Sequence, residues 1–225
     1  MLQKTRVMCS GCVRRHCRKK TAYIVFMKKL LGIIVLGLLF CNVGFGDEKG
    51  EYAIEDIVLF DSLLMYFDIN EIEEKKKNGF IYPNKDFYSA TFSSSKFNVY
   101  EKVQFHLKAN DTKYLIYAIS GNNYFKDNVK DCYKEMKKVT SDLKSLFDKP
   151  KIIKLGSKKL SSDKSSKVKT TVINLKNTEH VEAAIVIQCY DYSKKSEKNK
   201  GKVDKLLISI DSKEFGDWLN YKAYN

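Results

Sequence analysis

Six cysteines and three histidines are the side chains of this 225-residue chain best suited to metal, redox or nucleophilic chemistry. Four of them fall close together, as Cys9-x-x-Cys12 followed by His16-Cys17. Thiolates and an imidazole at such spacing can ligate zinc, but a structural zinc site joins two half-sites across a folded unit. Here the cluster is flanked by Arg14, Arg15, Arg18 and Lys19 and has no second half-site, so it is not read as a metal centre. Cys132 and Cys189 are different. Cys132 lies on the apolar stripe of a long helix, and Cys189 shares a strand face with Ile185 and Ile187. If that helix packs on that face the two sulfurs meet, and an oxidising compartment would bond them. The alternative is two separate buried thiols acting as small hydrophobes.

The other candidates have ordinary structural uses. His106 alternates onto the polar side of its strand, and His180 sits beside a turn. Neither has a nucleophile-elbow pattern near it, and both read as surface histidines. The acids Glu55, Asp56, Asp61, Asp68 and Glu71 to Glu74 lack the spacing of a calcium loop and read mainly as helix caps. Tyr66, Phe67, Phe87, Tyr88, Phe92, Tyr114, Tyr117, Tyr190 and Tyr192 could stack on sugars or bases, but sheet and core packing is the commoner use of such residues. There is no glycine-rich phosphate loop. The sequence therefore assigns no catalytic, cofactor-binding or metal-binding residue.

Those side chains must be held by elements that periodicity locates. Asp68-Ile-Asn-Glu71 opens a short helix as a capping box, and Asn78-Gly79 closes it after three lysines. A helical turn over 61–67 precedes it. Phe87–Phe92 is β-prone, Val103–Leu107 alternates with period two, and Lys113–Ser120 returns as its hairpin partner. Asn128–Phe147 is the strongest helix, with Asp127 as its expected cap and Pro150 as its terminator. Its residues Val129, Cys132, Tyr133, Met136, Val139, Leu143, Leu146 and Phe147 make one stripe. Residues 151–167 read as a Lys/Ser-rich loop. Strands resume at Val168–Leu175 and His180–Tyr192, a second polar loop covers 194–202, and the last strand is Val203–Asp211. Asp211-x-x-Glu214 is expected to cap a final helix carrying Phe215, Trp218 and Leu219. The sum is one α+β domain, an antiparallel sheet of about six strands with a long amphipathic helix on one face. The order hints at a duplicated βββα unit.

Charge and leader bound the compartment. The net charge is +14, but nine Lys/Arg and no acid lie before residue 47, which leaves +5 on residues 47–225. A domain so mildly basic calls for no nucleic-acid partner. AT-rich codon usage also accounts for much of the lysine. From Met27 the chain reads Lys28-Lys29, an apolar run Leu30–Phe40, then Gly44 and Gly46 before Asp47. That is the grammar of a secretory signal peptide over 27–46. The run is short for a membrane span of about 20 residues. Phe40 before Cys41 argues against a lipidated cysteine. Residues 1–26 fall outside this grammar and read as an extension from a start codon assigned too early.

The segments MKKLLGIIVLGLL, IEDIVLFDSLLMYF, YLIYAISG, IQCYDYS and KEFGDWL resemble those of small uncharacterised exported proteins of Pelagibacter-type marine bacteria. The resemblance implies a compartment and no particular chemistry. The reading is a non-catalytic periplasmic binding or envelope-interaction module. An envelope protein or an anionic envelope surface would be met through Lys151, Lys154, Lys158, Lys159, Lys164 and Lys167. A periplasmic enzyme and an N-terminally anchored membrane-surface protein are the alternatives. The protein secreted from a bacterial host is expected to begin at or near Asp47 by intact mass. A mature chain that keeps Cys9 to Cys17 would overturn the leader assignment.

Overall fold

The period-two segments pair into one antiparallel sheet. The structure is a computed structural model and describes residues 53–224 apart from 94, 96, 148–149 and 176–182. The leader, the Cys9 to Cys17 cluster and His180 lie outside the described residues. A two-stranded ribbon, β1 (Ala53–Ile54) and β2 (Ile57–Val58), comes first. A 3-10 turn (Leu63–Met65) and helix α1 (Ile69–Lys77) follow. The sheet comprises β3 (Phe87–Phe92), β4 (Lys102–Lys108), β5 (Ile116–Tyr124), β6 (Lys151–Lys159), β7 (Lys167–Leu175), β8 (Ala183–Asp191) and β9 (Lys205–Ser212). The other helices are α2 (Val129–Leu146), α3 (Lys194–Lys200) and α4 (Lys213–Tyr221).

The strand order is β3-β4-β5-β9-β8-β7-β6. Two meanders thus meet where β5 pairs with β9. The chain leaves β5 at the middle of the sheet and re-enters at β6 on the far edge. Helix α2 makes that journey, and it must cross the strands between. It lies against β8 and β9. Its fully covered residues are Cys132, Met136, Val139 and Leu143, which meet a sheet face of Ile185, Ile187, Leu206 and Ile208. Each such side chain is worth roughly 1.5–3 kcal/mol before entropy.

The same face of β3, β4 and β5 is roofed by the N-terminal segment. Phe67 stacks on Phe92 with ring centroids 4.0 Å apart. Glu55 accepts from the backbone N–H groups of Asn98, Val99 and Tyr100 at 2.7–2.8 Å and ties the ribbon to that loop. Gly121 on β5 leaves room for the Tyr100 ring, because a Cβ there would lie 2.4 Å from it.

Several boundaries differ from the sequence reading, each for a local reason. Residues 151–159 are not loop but edge strand β6, so the sheet has seven strands rather than six. One side of an edge strand faces water, and its lysines mask the alternation. The cap of α2 is Asn128, whose side chain accepts from the Asp131 N–H. Asp127 instead adopts positive φ and pairs with Lys194 at 2.7 Å. Asp211 is still in β9, and Ser212 caps α4 through the Phe215 N–H. Residues 194–200 form α3, capped by Ser193 and stopped at left-handed Gly201. Among the described residues no helix is long and apolar enough to cross a membrane.

Met136 is 3% exposed at the centre of the α2 contact. Met136→Asp would bury an unpaired carboxylate. The variant is expected to lose about 3 kcal/mol or more and to melt far below the parent by circular dichroism. Equal melting would mean that α2 is not core.

Candidate functional site

Next to the buried stripe of α2 runs a second, polar one. Tyr133, Lys137, Thr140, Ser141 and Lys144 follow one another at helical spacing on the flank of the contact. Because α2 sits over β8 and β9, this flank looks toward β7 and β6 at the rim of the sheet. On β7 the residues that share the α2 face are Lys169, Thr171, Ile173 and Leu175. Ile152 and Lys154 of β6 stand opposite Ile173 and Thr171 in register. These elements enclose a groove of about 740 Å³. Tyr133, Met136 and Ile152 give it apolar surface, and Thr140, Ser141 and Thr171 supply hydroxyls. Among the described residues its charged side chains are Lys137, Lys144, Lys154 and Lys169, with no acid.

The far wall is held by two devices. In β6 the pairing steps from Lys154 to Gly156, leaving Leu155 as an extra residue. Gly156 has φ 72°, a left-handed geometry that glycine adopts without penalty. A Cβ there would meet no atom, so backbone conformation rather than space favours glycine. The β6–β7 turn is tied down by Asp163. One of its carboxylate oxygens accepts from the hydroxyls of Ser166, Ser193 and Ser196 at 2.6–2.7 Å, and the other from the Ser165 N–H. Those hydroxyls hold the Asp163 carboxyl well below the usual range.

Some lysines of the domain are held by acids, and those of the groove are not. Lys75, Lys76, Lys108, Lys134, Lys194 and Lys213 each meet a carboxylate within 4 Å. Among the described residues Lys137, Lys144 and Lys154 have no such partner, and Lys169 rests 5.3 Å over the Tyr133 ring. The Thr140 hydroxyl donates to the Met136 carbonyl at 2.7 Å, so an oxyanion entering the groove would find its donors in the ammonium groups and in Ser141 and Thr171, which no carboxylate of the described residues occupies.

The other residues singled out from sequence fall elsewhere. Cys132 and Cys189 are brought together as a disulfide pair with Cα atoms 6.0 Å apart, beneath α2. Lys151, Lys154, Lys158 and Lys159 lie on β6, Lys164 on the turn and Lys167 at the start of β7. His106 is not a surface residue. The side of β4 taken as polar is covered by α4, which lays Phe215 and Trp218 over Phe87 and Ala118. His106 Nδ1 lies 3.1 Å from the Tyr82 hydroxyl, and its ring centroid is 4.6 Å from Phe215. Burial pushes its pKa down to about 3, so the imidazole is neutral at physiological pH. Lys169 closes the lysine-rich stretch from Lys151 that the membrane-surface alternative would use, whereas Lys137, Lys144 and the groove hydroxyls escaped sequence reading. Their one signal was the polar flank of α2, which resembles any solvated helix face.

A second cleft, about 800 Å³, runs beside α4. Its charges are mixed and partly satisfied, with Lys108 bonded to Glu214 at 2.6 Å. Farther along that sheet face the Ser120 hydroxyl donates to Ser209 at 3.1 Å, and Ser209 donates to Asp211. No known protein family, curated protein or solved structure matches this chain significantly.

Burial pushes the Asp211 pKa up to about 6 from 3.8. A folded pKa above the unfolded one means that the fold favours the protonated acid. That stability is complete below the unfolded value and is lost as pH rises through about 6. Asp211→Asn stays neutral at every pH. It is expected to be more stable than the parent near pH 8, by about 1–3 kcal/mol, with the gap closing toward pH 4. Urea midpoints at the two pH values measure this, and a gap that does not change with pH would refute it.

Proposed function

We propose that the chain is exported to the bacterial periplasm and acts there as a non-catalytic binding module for an anionic envelope surface. The observation that carries this reading is the concentration of unpaired lysines on one wing of the sheet. β6 contributes Lys151, Lys154, Lys158 and Lys159, and the adjoining groove adds Lys137, Lys144 and Lys169. Lysine on a free sheet edge also discourages edge-to-edge pairing. That explains the lysines of β6, but not Lys137 and Lys144 on a helix or Lys169 on an interior strand. Export is supported by the leader grammar of Met27 to Gly46 and by the Cys132–Cys189 pair, which suits an oxidising compartment. The enzyme alternative loses its best general base, because His106 is sealed under Phe215 and bonded to Tyr82.

Vesicle flotation tests the reading. Protein recovered from the periplasm of a bacterial host is expected to bind vesicles containing acidic phospholipid, and purely zwitterionic vesicles much less. Raising salt from about 50 mM to 300 mM should weaken binding by about tenfold or more. Equal binding to both vesicle types, or binding that ignores salt, would overturn it.

A further inference from the structure

We infer that the groove between α2 and the β6–β7 wing is a headgroup site for a single acidic phospholipid of a membrane surface. The inference rests on the envelope-surface reading and adds a specific pocket and ligand class to it. Three observations carry it. The groove combines ammonium groups from three separate elements with hydroxyls and, among the described residues, no acid, which matches a phosphate oxyanion in charge and in hydrogen bonding. Its apolar side, made by Tyr133, Met136 and Ile152, has no use for a bare inorganic anion but suits the glycerol and first methylenes of a lipid. Beside it, Leu155 is 48% exposed as the extra residue of the β6 bulge, between groove residues Lys154 and Gly156. An apolar side chain offered among lysines is the arrangement of an interfacial anchor: the leucine enters the headgroup layer and the lysines stay with the phosphates. A soluble polyanion would make no use of it.

The test compares two charge-matched double variants of the full protein. Lys137→Gln/Lys144→Gln empties the groove of its helix charges. Lys158→Gln/Lys159→Gln removes the same charge from β6 outside the groove. All four side chains are exposed, so both variants should melt like the parent. The vesicles carry equal negative charge either as phosphatidylglycerol or as a fatty carboxylate. The parent is expected to prefer the phospholipid vesicles. The groove variant should lose that preference and about tenfold or more in affinity. The β6 variant should weaken on both vesicle types alike and keep the preference. Leu155→Ser should weaken vesicle binding while leaving affinity for soluble glycerol phosphate unchanged. If the two double variants weaken alike and no headgroup preference exists, the groove site falls while the general surface reading stands. If no form binds acidic vesicles, both fall. If inorganic phosphate competes as well as glycerol phosphate and Leu155→Ser changes nothing, the ligand is a free oxyanion and the lipid assignment is overturned.

Discussion

Everything on the functional side of this molecule depends on how the chain gets from β5 to β6. β5 lies in the middle of the sheet and β6 at its rim, so the connection must pass over the strands that will form later in the chain. A loop could span the distance, but it would leave the apolar face of β8 and β9 wet. The α2 helix spans it and covers that face in one stroke. The Cys132–Cys189 pair pins the crossing, joining positions 57 apart in sequence. A covalent link across such a separation removes about 4 kcal/mol of chain freedom from the unfolded state in the chain-entropy account. With α2 fixed over β8 and β9, one polar flank of the helix has to overhang β7 and β6. The groove is the space left under that overhang.

The two rims of the sheet are treated in opposite ways. β3 carries no lysine, and its outer side is occupied: Ile81 bridges to Tyr88, and the Phe80 N–H donates to the Ser89 hydroxyl. β6 has β7 as its only sheet neighbour, and it carries lysines, a bulge and a left-handed glycine. A covered rim needs no charge, whereas an uncovered one invites further strands unless charge and irregularity block them. The lysines of β6 therefore have a structural duty before any binding role. Those on α2 and β7 have no such duty, and that is why they weigh more in the functional argument.

Local pattern made some of this legible in the sequence. Phe87–Phe92 was bounded to the residue because its aromatics and Thr91 favour a strand, and the α2 stripe was legible because Cys132, Met136, Val139 and Leu143 keep one helical phase, although Leu146, also assigned to it, is exposed. Phase put Cys132 and Cys189 on faces that meet once α2 packs on β8, with two separate buried thiols as the alternative. β6 was missed because lysine dominates it and only Ile152, Ile153 and Leu155 hint at extension. His106 was misplaced because the alternation of β4 was taken to mean one wet face, while α4, which is remote in sequence, buries the second. The groove was illegible because its walls come from α2, β6 and β7 and no local window contains them together.

The position of β9 bears on when the sheet can form. This strand begins at Lys205, near the end of the chain, yet it sits between β5 and β8 and joins the two meanders. Until it is available, β5 lacks its second neighbour, and β8 together with the underside of α2 has nothing to close against. Non-local pairing of this kind is slow, because loop entropy must be lost before any contact rewards it. During N-to-C synthesis the junction between the two meanders therefore cannot close until the last strand is released.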